Sequence, residues 1–395
     1  MEISLTIKAS IYPSQSEAKS LKKTMEAYRQ GCNYASLYVF NNNFELGQSK
    51  LNKALYHDLR DTFGLKSQMA QSVLRTVIAR YKTVATQLSQ KPYKCLGYKI
   101  ERDLTWLWKP ITFSRPQFEL VRNRDWSFKN DNQVSLNTLD GRIICQISMS
   151  GFEKYQDWQF GSARVLKSDK HWYLHISASR EIDDYDINQT RHVIGIDRGL
   201  RQIVTCYDEK GKTLFKSGKQ IAKKRNHYKQ LRCHLQLTNT KSSKRRIRKI
   251  GQRENRWMSD YNHCLSKTLV EKYGTDSLFV LEDLTDVTFD TVNNHKREDR
   301  YEHCSWSFYD LEQKLTYKAH LNHSEVIKVD AYCTSQRCPK CGRINKENRK
   351  HNLHLYICDK CGYKSNDDRI GAMNIQNLGT MYVSGNYKPT YQKLV

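Results

Sequence analysis

The chain opens on an alternating stretch. From Glu2 to Ala9, the residues Ile3, Leu5, Ile7 and Ala9 fall on one side of an extended backbone, which predicts a half-buried strand. The period then changes. Ser14 and Glu17 form a capping box just after Pro13, and Ala18, Leu21, Met25, Tyr28 and Cys32 follow at three- and four-residue steps, the stripe of an amphipathic helix. Leu51, Leu55 and Leu59 predict a second helix, and Ala70, Val73, Val77, Tyr81, Val84 and Leu88 a third. One helical block is therefore expected over 14–90.

Beyond residue 92 the pattern returns to strands. Ile143, Cys145, Ile147 and Met149 alternate, as do Trp172, Leu174, Ile176 and Ala178, and Ser168-Asp169-Lys170 supplies a hairpin turn before the second set. The simplest arrangement is a small β-barrel whose first strand (1–13) is separated from the remainder (91–185) by the helical block. Residues 181–190 are polar and acidic and read as a linker. A βαβ-like region follows: a buried strand at His192 to Asp197, a second at Gln202 to Tyr207, and the turn Asp208-Glu209-Lys210-Gly211. Two long helices are expected from Gly218 to Tyr273 with a break at 238–243, then an apolar strand from Ser277 to Leu281. His303, Trp306 and the apolar residues after them predict a further helix beneath the sheet, with Ser305 and Ser307 as caps.

Composition narrows the partners. The 395 residues carry 66 Lys and Arg against 41 Asp and Glu, a formal charge of +25. An excess this large points to a polyanion. No apolar run reaches the ~20 residues of a membrane span and no secretory signal is present, so no membrane role is expected and a soluble, cytoplasmic protein is the expectation. Eight of the twelve cysteines stand singly (Cys32, Cys95, Cys145, Cys206, Cys233, Cys264, Cys304 and Cys333) and are expected to be small buried hydrophobes.

The other four form pairs. Cys338-Pro-Lys-Cys341 and Cys358-Asp-Lys-Cys361 lie sixteen residues apart, the spacing of a tetrahedral Zn²⁺ ribbon. Gly342 and Gly362 follow the pairs and let the chain fold back on the thiolates. Four thiolates leave no open position, so the role is structural. His351 and His354, between the pairs, are expected on the ribbon surface rather than on the metal.

Carboxylates carry the second signal. Asp197 closes the strand Val193-Ile194-Gly195-Ile196, Glu282 closes Leu278-Phe279-Val280-Leu281, and a third acid lies in Asn366-Asp367-Asp368-Arg369. An unpaired buried carboxylate is costly, so acids ending apolar strands belong on the rim of a sheet. Three such groups could hold two Mg²⁺ ions ~4 Å apart.

Basic residues crowd the stretch from Lys216 to Arg256: Lys223, Lys224, Arg225, Lys241, Lys244, Arg245, Arg246, Arg248, Lys249, Arg253 and Arg256, with Glu254 the only acid. A block of one sign favours phosphate binding over a merely solvated face. Behind it, Met258, Tyr261, Leu265 and Leu269 are expected to be core. Aromatics between 92 and 128 (Tyr93, Tyr98, Trp106, Trp108, Phe113, Phe118, Trp126 and Phe128) interleave with Lys and Arg; most should be core and one or two could stack on bases.

Gly195-Ile-Asp197-Arg-Gly199-Leu, Val280-Leu-Glu282-Asp-Leu284, Thr334-Ser-Gln-Arg-Cys338-Pro-Lys-Cys341-Gly and Cys358-Asp-Lys-Cys361-Gly-Tyr resemble the TnpB family of transposon-associated nucleases, and the motif order matches. The strong resemblance covers 192–378. It implies an α+β multidomain protein: an RNase H-like (RuvC) α/β nuclease core at 190–332, interrupted by a zinc ribbon at 333–365, a last RuvC segment at 366–380 and a tail at 381–395. A wedge-like β-barrel carrying an inserted helical recognition block would precede it. Asp197, Glu282 and Asp368 would be the catalytic acids, and a guide RNA would direct Mg²⁺-dependent cutting of double-stranded DNA beside a short adjacent motif. The family's last segment commonly runs Asp-x-Asn-Ala-Ala, where this chain has Asp368-Arg-Ile-Gly371-Ala372-Met-Asn374. The spacing to Asn374 favours Asp368, with Asp367 beside it as the alternative; Gly371 and Ala372 are small enough for a helix to pack closely under the site. Three other readings share parts of this layout: a compact type V CRISPR effector, a guided DNA-binding repressor that does not cut, and a transposase.

Overall fold

The opening segment pairs as β1 (Glu2–Tyr12), with Ile3, Ile7, Ala9 and Ile11 buried. In the computed structural model, which describes residues 1–90, 92–95, 98–130, 132–284 and 308–391, the chain divides into a unit of Glu2–Glu181 and a unit of Met1 with Ile182–Val395. In the first unit, β1 leads into α1 (Gln15–Asn41), α2 (Gln48–Phe63) and α3 (Ser67–Ser89). The capping box is formed: Ser14 N donates to Glu17 Oε2 at 2.6 Å while Glu17 N donates to Ser14 Oγ at 3.4 Å. Leu51, Leu55 and Leu59 are the buried face of α2, and Gly64 ends that helix at φ 64°.

After a short hairpin, β2 (Tyr93–Cys95) and β3 (Tyr98–Ile100), six strands complete the unit: β4 (Phe118–Leu120), β5 (Trp126–Asn130), β6 (Gln133–Thr138), β7 (Gly141–Ile147), β8 (Gln159–Ser168) and β9 (His171–Glu181). With β1 they form one sheet ordered β4-β8-β9-β1-β7-β6-β5. The first strand of the chain is thus central, inserted between β9 and β7. Asp169, at φ 53°, makes the tight turn between β8 and β9. Among the described residues no ladder joins β4 to β5. The sheet curls instead until buried Trp126 on β5 donates its Nε1–H to Gly161 O on β8 at 3.1 Å, and Phe128 meets Phe160 edge-on at 5.6 Å.

The second unit is built on a five-stranded sheet of β10 (His192–Asp197), β11 (Gln202–Tyr207), β12 (Thr213–Ser217), β13 (Ser277–Glu282) and β14 (Glu325–Val329) in the order β12-β11-β10-β13-β14. The first three are antiparallel; β10, β13 and β14 are parallel. Between β12 and β13 run α4 (Lys219–Thr238) and α5 (Lys241–Tyr273), broken at Asn239, whose φ is 47°. Between β13 and β14 lies α6 (Phe308–Leu321); its expected caps, with His303, Cys304 and Trp306, lie outside the described residues. The chain ends in α7 (Asp367–Val383) after a three-stranded sheet of β15 (Arg349–Lys350), β16 (Leu355–Ile357) and β17 (Lys364–Asn366).

Alternation along the strands divides the core. Ile194, Ile196, Phe279 and Leu281 pack with Met258, Leu265 and Leu269 of α5 and Leu311 and Leu315 of α6. Leu278 and Val280 pack on the opposite face with Ile375 and Leu378 of α7. The single cysteines divide as well: Cys32, Cys145 and Cys206 are buried, whereas Cys233 and Cys264 are exposed on α4 and α5 and Cys333 is half-buried. The expectation of burial fails for those last three, which occupy the exposed faces of α4 and α5 and a turn before the ribbon. Among the described residues no helix is long and apolar enough to cross a membrane.

Candidate active site and metal centres

Asp197 and Glu282 end neighbouring parallel strands. The register sets Ile196 opposite Leu281, so the two acids are the next pair along, and alternation turns both toward the face that α7 covers. Burial, with the Glu282 and Asp368 carboxylates nearby, holds the Asp197 carboxyl well above the ordinary carboxylate range. Burial also raises Glu282, against the opposing pull of a hydrogen bond from Thr334. The third acid arrives on the first turn of α7, where Asn366 Oδ1 accepts from Arg369 N at 3.1 Å as the N-cap.

α7 can deliver it because two small residues let the helix lie directly on β10. A Cβ at Gly195 would stand 2.2 Å from Ala372 O, and one at Gly371 would stand 2.9 Å from Asp197 Oδ2. The structure also separates the adjacent aspartates. Asp367 is buried and turns toward the ribbon, pairing with Arg349 Nε at 3.1 Å and with His354 Nδ1 at 3.9 Å. Asp368 is the stronger electrostatic neighbour of Asp197 and meets Arg349 Nη2 at 3.6 Å.

Four residues that sequence reasoning passed over complete the setting. Arg198, buried under the sheet, donates to Glu282 O at 2.6 Å and to Glu312 Oε2 at 3.2 Å. Thr334 donates its hydroxyl to Glu282 Oε1. Asn374 donates to Thr334 O at 2.7 Å and Arg337 O at 2.8 Å. Arg349 faces both terminal aspartates. Arg198, Thr334 and Asn374 lay inside recognised motifs, Asn374 used there only as a spacing mark; nothing in Lys346-Glu-Asn-Arg349 marks that arginine.

The ribbon brings its cysteines together. The Sγ atoms of Cys338 and Cys361 are 3.6 Å apart, those of Cys341 and Cys358 are 3.5 Å apart, and all four lie within 4.8 Å of one another. Thiolates ~2.3 Å from a tetrahedral centre would stand ~3.8 Å apart, so the set fits Zn²⁺. The two halves repeat one turn: Gly342 N donates to Cys338 O at 2.9 Å and Gly362 N to Cys358 O at 3.0 Å, with the glycines at φ 76° and 69°. His354 stays off the metal centre, against Asp367. Among the described residues this is the group of potential ligands that meets the 4.8 Å spacing.

On the α4–α5 hairpin, Lys223, Lys224, Lys244, Arg245, Arg246, Arg248, Lys249, Arg253 and Arg256 are exposed and Arg225 is half-buried. Glu254, the acid in this stretch, is buried and bonds Arg232 of α4, so it ties the helices together instead of diluting the basic face. In the other unit Phe118 and Trp126 are fully buried, while Tyr98 is 76% exposed and Trp108 82%.

Two family profiles match the chain: a probable transposase (OrfB_IS605) at residues 179–285 and the Cas12f1-like TNB domain at 308–375. Among curated relatives, a CRISPR-associated endodeoxyribonuclease Cas12f1 from Sulfoacidibacillus thermotolerans is 24% identical over 84% of this chain and 81% of its own. TnpB-like protein L79 of Acanthamoeba polyphaga mimivirus is 23% identical over 94% of this chain and 72% of its own. Over these stretches the chain is similar to the TnpB family. A Cas12f1–sgRNA–target DNA complex solved by cryo-EM shares the fold, with a TM-score of 0.57 at 14% identity over 95% of this chain and 99% of that one.

Proposed function

We propose that the chain is an RNA-guided DNA endonuclease of transposon origin, hydrolysing phosphodiester bonds of guide-matched DNA at one two-metal site formed by Asp197, Glu282 and Asp368. The observation that carries the site assignment is electrostatic: Asp197 is pushed far up by burial and by the Glu282 and Asp368 carboxylates, two acids from distant stretches of the chain. Such a cluster calls for a countercharge, and an all-carboxylate donor set suits hard divalent cations. The strand order, three antiparallel strands followed by two parallel ones, supports an RNase H-like (RuvC) core. The curled seven-stranded sheet supports a wedge barrel, with α1 to α3 as the inserted recognition block.

Mg²⁺ held by these acids would supply activation of the attacking water and charge stabilisation at the leaving 3′ oxygen. The chain's own part is to place the acids. Strand register sets Asp197 beside Glu282, Arg198 and Thr334 hold Glu282 at its two ends, and glycine packing seats α7, whose first turn carries Asp368, against β10. Cys338, Cys341, Cys358 and Cys361 would hold Zn²⁺, which would supply the cross-link that keeps the segment from Thr334 to Asn366 folded. The exposed cations of α4 and α5 are assigned to the phosphates of the guide–target duplex. Double-stranded DNA with a short adjacent motif and a guide RNA are the partners. The relatives' sgRNA, target DNA and endodeoxyribonuclease activity support this reading.

The test is cleavage of plasmid DNA in Mg²⁺ by protein purified with its co-expressed RNA, wild type against Asp197→Ala. Cutting that requires RNA, a matched target and free divalent cation, and that the variant lacks, is the expected result. Site-specific binding by wild type without cutting would replace the nuclease by a guided repressor.

A further inference from the structure

Glu282 is gripped at both ends, and the two grips differ in kind. Arg198 fixes the backbone by donating to the carbonyl oxygen, which sets where strand β13 stops. Thr334 fixes the carboxylate itself. Thr334 is 1% exposed, so its hydroxyl has no water to turn to. Its two acceptors within reach are Glu282 Oε1 and Ala331 O, the latter at 3.0 Å. One proton cannot serve both fully, and an ionised carboxylate is the stronger acceptor.

The backbone from which Thr334 reaches is itself tied down. Asn374 Nδ2 donates to Thr334 O and Arg337 O, and Arg337 Nη1 returns a hydrogen bond to Asn374 Oδ1 at 3.4 Å. Asn374 is fully buried and sits on α7, the helix that carries Asp368. Thr334 lies four residues before the first ribbon cysteine. A single bracket therefore joins the ribbon's entry, the helix of the third acid and the side chain of the second.

We infer that Thr334 is a positioning residue: its hydroxyl selects the rotamer of Glu282 in which Oε2 is left to face the other acids, and Asn374 holds Thr334 where it can do so. The inference rests on the assignment of Glu282 as a cation ligand. A carboxylate without this bond would sample other rotamers and meet the cation less often. Groups that orient metal ligands typically change metal affinity or activity by about 10–100-fold when removed.

The experiment compares full-length wild type with Thr334→Val, Thr334→Ala and Thr334→Ser. Mn²⁺ binding to the RNA-free chain is followed by the electron paramagnetic resonance of free Mn²⁺, zinc content is measured in parallel, and the cutting rate of the RNA-bound protein is measured against Mg²⁺ concentration. Valine and alanine should weaken Mn²⁺ binding and raise the half-saturating Mg²⁺ by about 10–100-fold at unchanged zinc content, and serine should restore both to within about threefold. If valine unfolds the ribbon, the alanine–serine pair still isolates the hydroxyl, because the two side chains differ by that one atom. Wild-type Mn²⁺ affinity in the valine or alanine variant, or a serine variant as weak as alanine, would overturn the inference. A wild-type chain that binds Mn²⁺ but never cuts DNA would instead overturn the endonuclease reading and leave the Mn²⁺ comparison standing.

Discussion

Gly195→Ala should damage both stability and catalysis through one ångström-scale displacement. The missing Cβ of Gly195 points at the backbone of α7, 2.2 Å from Ala372 O, 2.3 Å from Gln376 N and 2.7 Å from Gln376 Cα. These are backbone atoms that cannot rotate away. Ordinary contact begins near 3.4 Å, so the helix would have to lift by about 1 Å. Overpacking of this kind costs about 1–3 kcal/mol, and the buried Ile375 and Leu378 would lose part of their contact with β13. In a unit of this size each kcal/mol corresponds to about 2–4 °C in Tm. The same lift carries Asp368 away from Asp197 and Glu282, and a misplacement of ~1 Å can cost ~10²-fold in rate. Two assays are needed: urea unfolding for stability, and plasmid cutting by the RNA-bound protein at saturating Mg²⁺. Gly251→Ala is the matched control. A Cβ there meets nothing within 4 Å, and the position is inside α5, so alanine should be neutral or stabilising by up to ~1 kcal/mol. If Gly195→Ala unfolds within 0.5 kcal/mol of wild type and cuts at the wild-type rate, the close seat of α7 on β10 is not what positions the third acid.

Cys358→Ser should release the zinc, measured by a chromogenic chelator. Local unfolding of 334–366 should follow, seen as faster amide hydrogen exchange there, while exchange in β10 and β13 stays slow. The neighbouring aspartates should part company on substitution. Asp368→Asn should abolish cutting with little change in Tm. Asp367→Asn, which strips a partner from Arg349 in a buried pair, should lower Tm measurably, and equal loss of cutting with an unchanged Tm for both would refute their separate roles.

The chain's own pattern determined much of this. Local periods located β1, the three helices of the first unit, β10, β11, β13 and the α4–α5 pair, because each is long or strongly periodic and its signal lies within a few residues. The cysteine pairs needed only their spacing, since a metal site of four thiolates is closed by chain segments that the sequence itself sets side by side. The acids at strand ends were legible for a similar reason: an apolar run that stops at a carboxylate stops at a rim. What only the tertiary structure decided are relations between segments far apart in sequence. The spacing to Asn374 favoured Asp368 but left Asp367 open, and it is Arg349, eighteen residues before Asp367, that turns Asp367 toward the ribbon. Thr334 looks like a turn residue until β13 ends beside it. Trp126 and Trp108 are equally aromatic, yet curvature of the sheet buries one and leaves the other open. In each case the deciding free energy, burial or a charge-assisted bond, exists only once distant segments touch, and no local window of the sequence contains both partners.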